Sequence, residues 1–362
     1  MKKLLIASAV SAAFAAPTLA LAQAARAPTI GQVLDASGIS VNGYIDAAYS
    51  YANKNIQTGF TDRAFDSENN SFALHQFGLT VAKQPRQGYG GVINITAGSD
   101  ARLIHSSPEP ATSTFDLTQA YGQYASGGLT LMAGKFTTLA GTEVIASTGN
   151  NNFSRSILFT AVPHTHTGVR AGYAVSDTTT LYGGINNGWD QLIDANRGKT
   201  LELGASFTPT RALSINVSAY AGQEPVGAGN QDQRTLIDVT GNYVVNRVMS
   251  IGAEILTASQ DLPAGGSAKY NGIAGYLTYS LSREWRLAGR LEMFDDKQGF
   301  HFATGTGTKY NELTATLAYL PNSSVELRGE VRADRADTAV FTDAGSTSKS
   351  LQTFALQGIY KF

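Results

Sequence analysis

Residues 324–337 read SVELRGEVRADRAD. Val325, Leu327, Gly329, Val331 and Ala333 fall on one parity; Glu326, Arg328, Glu330, Arg332 and Asp334 fall on the other. Wound as a helix, this run would scatter its charges around the axis. Extended as a strand, it sends them all to one side. Two kinds of wall accept such a strand. A soluble antiparallel sheet turns its polar face to water and its apolar face to a core. A membrane barrel does the reverse, apolar to lipid and polar to a watery lumen.

The same period recurs almost everywhere after Ser37. ISVNGYIDAAYSY sets Ile39, Val41, Gly43, Ile45, Ala47 and Tyr49 against Ser40, Asn42 and Asp46. KTLELGASF, ALSINVSAYAG and REWRLAGRLEM alternate in the same way. One such run fits a sandwich equally well; the connections separate the two folds. Tight turns at 83–88, 126–128, 176–179, 208–211, 246–247, 282–283 and 321–324 alternate with long connections. The long ones fall near 53–71, 99–115, 139–166, 188–198, 223–232, 259–268, 296–308 and 336–350. With strands of roughly 10 residues, this predicts an all-β, up-and-down antiparallel transmembrane barrel of about 16 strands, with short periplasmic turns and longer external loops. Tyr124, Tyr173, Phe207, Tyr243, Tyr279, Tyr319, Tyr360 and Phe362 stand near the outward ends of strands running toward the tight turns, as an interfacial girdle requires.

Composition agrees with such a wall. Charged residues make up 15% of the chain, below the usual ~25% of soluble domains, while the mean hydropathy of −0.11 is not that of a helical membrane protein. Lys2 and Lys3 precede a short apolar run, Leu4 to Ala16, broken by Pro17 and followed by small-x-small sites. Residues 1–22 therefore read as a signal peptide, cleaved after Ala22 or after Ala24. Without Lys2 and Lys3, 25 basic residues face 28 acidic ones, a formal charge of −3. No basic cluster suggests a nucleic-acid partner. Residues 23–37 read as a short periplasmic lead with one or two helical turns, and 38–362 as the barrel.

Sixteen strands enclose an aqueous channel, whereas about eight are filled by their own side chains. On the inward parity lie Arg170, Arg286, Arg290, Arg328, Arg332 and Lys361. With them lie Asp46, Glu202, Asp238, Glu254, Glu292, Glu312, Glu326, Glu330 and Asp334. They are expected to line the pore, with the carboxylates of 200–208, 235–244 and 250–257 unaccompanied. Either they set a transverse field or they pair across strands and brace the wall. The connection 139–166 is too long and too apolar, with Ile145, Phe153, Ile157, Leu158 and Phe159, for a free surface loop. It is expected to fold into the lumen, with Glu143, Asn150, Asn151, Asn152 and Arg155 lining a constriction; the alternative is a loop packed on the external rim.

Signals for catalysis are weak. No cysteine is present, and His164 and His166 have the spacing of a metal pair without an identifiable third ligand. No G-x-S-x-G elbow appears. The expectation is a protein without catalytic residues, metal or cofactor.

Residues 152–190, NFSRSILFTAVPHTHTGVRAGYAVSDTTTLYGGINNGWD, resemble the putative β-barrel porin-2, OmpL-like family. SVNGYIDAAYSY, LTLMAGKF, GTEVIAS, SFTPT and MFDDK resemble other blocks of it, so the likeness spans the barrel. The resemblance implies an outer-membrane barrel of a Gram-negative bacterium with a pore for small hydrophilic solutes; it carries over no catalytic residue. The expected function is passive diffusion of ions and small solutes, in contact with outer-membrane lipid. An enzyme or adhesin that uses a filled barrel as scaffold is the alternative. The final strand ends on Phe362, which resembles the signal read by the barrel assembly machinery. A barrel of this size is compatible with a homotrimer.

Overall fold

A computed structural model describes residues 29–56, 60, 62–226 and 230–362. The expected signal peptide, with both cleavage sites, lies outside the described residues. In the lead, Thr29 and Gln32 form a reciprocal cap: the Thr29 amide donates to Gln32 Oε1 at 2.9 Å, and the Gln32 amide to Thr29 Oγ1 at 3.3 Å. The helix they start, α1 (Ile30–Ser37), stops at Gly38, whose φ of +68° a side chain would resist.

Beyond Gly38 the chain is mostly strand: β1 (Ser40–Ala52), β2 (Ser71–Lys83), β3 (Gly88–Ala97), β4 (Phe115–Ser126), β5 (Leu129–Thr137), β6 (Thr165–Ser176), β7 (Thr179–Asn186) and β8 (Thr200–Thr210). There follow β9 (Leu213–Val226), β10 (Asn230–Val244), β11 (Met249–Asp261), β12 (Ser267–Ser280), β13 (Trp285–Asp296), β14 (Thr308–Tyr319) and β15 (Val325–Ala336). A small hairpin of β16 (Phe341–Asp343) and β17 (Ser346–Ser348) precedes the last strand, β18 (Ser350–Lys361). Apart from that hairpin, every strand pairs antiparallel with its neighbours, and β1 pairs with β18 to close a barrel of 16 strands. At the seam Gly43 and Phe362 exchange backbone hydrogen bonds of 2.9 Å each. A Cβ on Gly43 would collide with the Phe362 ring. Closure removes the open edge that a sheet of this size would otherwise present.

The wall is inside out relative to a soluble protein. Leu201 and Leu203 are 58% and 65% exposed on the outer face, while Glu202 between them is 1% exposed. A cation placed on that outer face at the bilayer midplane would cost about 2–4 kcal/mol, which the alternation avoids. The expected girdle residues all lie on the outer parity. Tyr89 and Trp285 join them, their rings tilted against Tyr124 and Tyr319 at 4.9 and 4.8 Å between centroids. A second aromatic group, Tyr49, Tyr51, Phe72, Phe115 and Phe354, marks the opposite rim.

Two features depart from simple alternation. The ladders β9–β10 and β11–β12 continue to Val226–Asn230 and Asp261–Ser267, so the long connection expected at 223–232 is mostly strand and half of that at 259–268 is. Above the bilayer neither face must be apolar, and hydropathy loses its period while the hydrogen bonds go on. In β2 a bulge opposite Asp46 and Ala47 turns both His75 and Gln76 inward and moves the outer set from Phe72 and Leu74 to Phe77, Leu79 and Val81.

Candidate pore and its crossing loop

The connection between β5 and β6 runs across the barrel interior, held by inward side chains of strands on the far side. Its entry is fixed by Tyr220 of β9, whose hydroxyl accepts the Leu139 amide at 2.9 Å. Gly141 and Thr142 then donate to Asp238 of β10 and Glu254 of β11, each at 2.8 Å. Further in, Glu330 of β15 accepts the Phe153 and Ser154 amides at 2.7 and 3.0 Å. Glu292 of β13 accepts those of Ile157 and Leu158 at 2.8 and 3.3 Å, closing the open start of the short helix α2 (Ile157–Thr160).

Arginines do the complementary task for the loop's carbonyls. Arg328 donates to the Asn150 carbonyl at 2.7 Å, Arg332 to that of Arg155 at 2.6 Å, and Arg290 to that of Ser154 at 2.8 Å. Charged donors and acceptors make the stronger hydrogen bonds, and here they lie where water is excluded. The loop hangs from the wall chiefly by its backbone.

These bonds change the standing of the residues expected to line a constriction. Asn150 folds back onto Val144 and Ala146 of its own loop. Arg155, 1% exposed, donates to the carbonyls of Val144, Ile145 and Phe153 and stacks over Phe65, 5.1 Å from the ring centroid. Asn152 is buried against Thr316, 2.8 Å away, and Glu143 against Arg290 at 2.7 Å. Asn151 alone of the five is exposed, with its amide on Thr278 at 2.9 Å. A sequence reading assigns polar loop residues to water; in the fold they knot the loop to itself and to the wall.

The inward arginines and acids pair off. Arg290 meets Glu312 at 2.9 Å, Arg332 meets Asp334 at 2.8 Å, and Arg328 meets Glu326 at 2.7 Å. Arg286 also pairs with Glu326 and stays partly exposed. Glu202 is not unaccompanied as expected: Arg170 grips it with two bonds of 2.5 and 2.7 Å. The pair spans β7, where Gly184 lies between the two residues; a Cβ there would come within 3.1 Å of a Glu202 oxygen. Asp238 and Glu254 do lack a cation, and each keeps one buried carboxylate oxygen without a hydrogen-bond partner among the described residues. His164 and His166 turn to separate backbone acceptors, Phe159 at 3.2 Å and Gly188 at 3.1 Å.

The other side of the interior is different. Between the loop and the wall of β3 to β5 lies a cavity of about 290 Å³, lined on the wall side by Asn94, Thr118, Gln119 and Thr137 and on the loop side mostly by apolar residues, among them Leu139, Val144, Ile145, Phe159 and Val162, with Glu143 and His164. Inward residues with solvent contact are largely neutral: Asn42, Thr80, Asn94, Gln119, Asn216, Asn242 and Thr278. Sequence periodicity already places Asn42 and Asn216 on the inward parity; a reading drawn to charge passes over Thr80, Asn94, Gln119, Asn242 and Thr278, though they too are inward amides and hydroxyls. Above the loop, His301 of the connection 297–307 sits 3.0 Å from Thr160 Oγ1 and packs on Tyr270 and Phe302. Burial, reinforced by the Arg234 charge, lowers its pKa from 6.5 to about 3.

Comparisons with known proteins follow this geometry. The family model described as putative beta-barrel porin-2, OmpL-like, matches residues 38–362. A search of curated proteins found no match. Among solved structures, the outer-membrane channel DcaP of Acinetobacter baumannii is similar with a TM-score of 0.64 and 13% identity, over 90% of this chain and 97% of that one. OmpT of Vibrio cholerae in its trimer form gives 0.63 and 12%, over 90% and 99%. An anion-selective porin from Comamonas acidovorans gives 0.62 and 13%, over 90% and 99%. At such identities the structures speak for the fold alone, while the family match covers the whole barrel. The chain belongs to the putative beta-barrel porin-2, OmpL-like family and is a porin-like barrel of the Gram-negative outer membrane.

Proposed function

We propose that this barrel conducts ions and small hydrophilic solutes by passive diffusion along the part of the lumen that the crossing loop leaves open. The observation that carries this reading is the asymmetry of the interior. The loop is held against the charged wall of β10 to β15, and a cavity of about 290 Å³ on its other side faces amides and hydroxyls of β3 to β5, with mostly apolar loop residues opposite. Most wall charges are neutralised by partners, so the pore is expected to show weak charge preference. Pairing braces the wall rather than setting a strong transverse field. Nothing in this reading calls for a catalytic group, a metal or a cofactor.

Single-channel recording of the refolded chain in a planar bilayer under a salt gradient tests it. Discrete conductance steps with a small reversal potential are expected. Silence from a barrel shown to be folded by heat-modifiable migration would replace the pore with the filled scaffold of an enzyme or adhesin.

The same proposal covers the ends and the assembly. Residues 1–22 would be removed on export, and amino-terminal sequencing of the mature chain, starting at Gln23 or at Ala25, decides between the two cleavage sites. Phe362, at the seam, would be read by the barrel assembly machinery; truncation of that residue should lower the yield of folded barrel in cells. A homotrimer is the proposed assembly, tested by the mass of the detergent-solubilised, unheated protein.

A further inference from the structure

On the outer wall, strands β12 to β15 enclose a groove of about 530 Å³, lined by Ile273, Leu291, Met293 and Leu313 with Asn311 and Arg335 among the lining residues. The aliphatic residues lie within the lipid-facing band. The ladder places Asn311 opposite Arg335 and Met293 opposite Asn311, so the polar pair stands at the long-loop end of the groove. Along the same rim, on the same outward parity, Lys309 lies opposite Asp295, and Lys269 lies two residues before Asn271, the other neighbour of that rim row. Arg335, Lys309 and Lys269 are exposed and form no ion pair among the described residues. Three acids share this rim: Asp261, on the outward parity of β11 beside Lys269, Asp295, and Asp337, whose carboxylate accepts the Lys309 amide at 2.9 Å. Lys297 and Lys349 are exposed beside them, so five cations against three carboxylates leave a positive excess.

An outward arginine on a barrel that spends so many residues keeping charge off its lipid face needs an anion in the headgroup layer. We propose that this groove holds a phosphate-bearing anionic lipid of the outer leaflet, an acyl chain along Ile273, Leu291, Met293 and Leu313 and its phosphate on Arg335, Lys309 and Asn311. Apolar contact and charge act together, as stable anchoring to an acidic lipid surface requires. The guanidinium presents a planar fork to phosphate, and Asn311 adds a neutral donor beside it. The short-turn rim carries exposed cations as well, Arg211 and Arg247, but they sit in turns beside an aromatic row rather than at the end of this aliphatic groove. The inference rests on the outer-membrane placement and stands whether or not the barrel conducts.

Native mass spectrometry of the full chain, refolded in detergent, tests it with bisphosphorylated lipid A as probe and the dephosphorylated lipid as control. The unaltered chain is expected to retain one bisphosphorylated lipid in preference to the control. Removing both cations, Arg335→Gln with Lys309→Gln, should weaken retention roughly thirtyfold, each surface cation contributing about a factor of five. Arg211→Gln with Arg247→Gln, on the short-turn rim, should leave it unchanged. Heat-modifiable migration shows that each variant is folded, and Leu313→Trp, which fills the groove, should also weaken retention in a folded barrel. Equal retention by the double variant, or equal retention of the dephosphorylated lipid, overturns the proposal. So does disulfide linkage of two Leu313→Cys barrels in membranes, because a second copy would then cover the groove.

Discussion

The two halves of the interior use polarity in opposite ways. Along β10 to β15 the wall carries arginines and carboxylates that are almost fully buried, because the crossing loop covers them and its backbone meets them. Along β3 to β5 it carries mainly amides and hydroxyls, with one buried ion pair of Lys135 and Asp116 at 2.9 Å, and there space remains. The contrast teaches that charge in a lumen is not by itself a filter. Buried and paired, it is structural; the opposite wall, whose solvent-touching residues are amides and hydroxyls, is where a solute would pass.

The most severe way to break that comparison is to remove the loop. Thr138 donates to the His164 carbonyl at 3.1 Å, so an Asn-Gly turn can replace residues 139–163 and leave a hairpin. Conductance in planar bilayers should rise several-fold. Selectivity should shift as Arg290, Arg328 and Arg332 meet water; an unchanged conductance would mean the loop does not narrow the path.

A single substitution on the charged side should act on stability first. Arg290→Met leaves Glu143 buried without its cation and Glu312 with only Arg332 at 3.8 Å, at a cost of about 3–5 kcal/mol. Urea unfolding in lipid vesicles checks it, and a loss under 1 kcal/mol would mean that water already screens the pair.

Acid should loosen the cover from above. His301 is buried neutral, with its pKa lowered from 6.5 to about 3. Its contribution is whole above pH ~6.5 and is lost as pH falls toward 3, because the released imidazole binds a proton that the docked one refuses. Since the side chain is partly exposed, the effect at pH 5 should be on the order of 1–2 kcal/mol. Hydrogen exchange of residues 297–307 should accelerate below pH 6.5, and His301→Phe should abolish that acid dependence.

The gentlest change belongs to the open side. Asn94→Lys should alter stability by no more than about 0.5 kcal/mol yet move the reversal potential toward anions. A variant that unfolds instead, or that conducts with the original selectivity, would remove this wall from the path.

Legibility followed the same divide. Period two exposes which side chains point inward on β15 and β13, because lipid punishes every error on the other face. It fails on β2, where HQ at 75 and 76 offers two polar residues in a row and the bulge takes both. Nor can it reveal that Arg170 and Glu202 meet, since the pairing depends on Gly184 of the strand between them. The loop was visible as too long and too apolar, but its hydrogen bonds were not. They run to atoms that every residue carries, and a sequence is silent about those.

That silence has an evolutionary counterpart. Because Glu330 and Glu292 hold amide groups and Arg328 holds a carbonyl, exposed loop side chains such as Asn151 and Val144 can be exchanged without touching those bonds, whereas Glu143, Asn150, Asn152 and Arg155 are part of the grip. A lineage could retune what the passage admits by drifting through such substitutions one at a time. The same drift in the wall arginines would take down the support together with the filter.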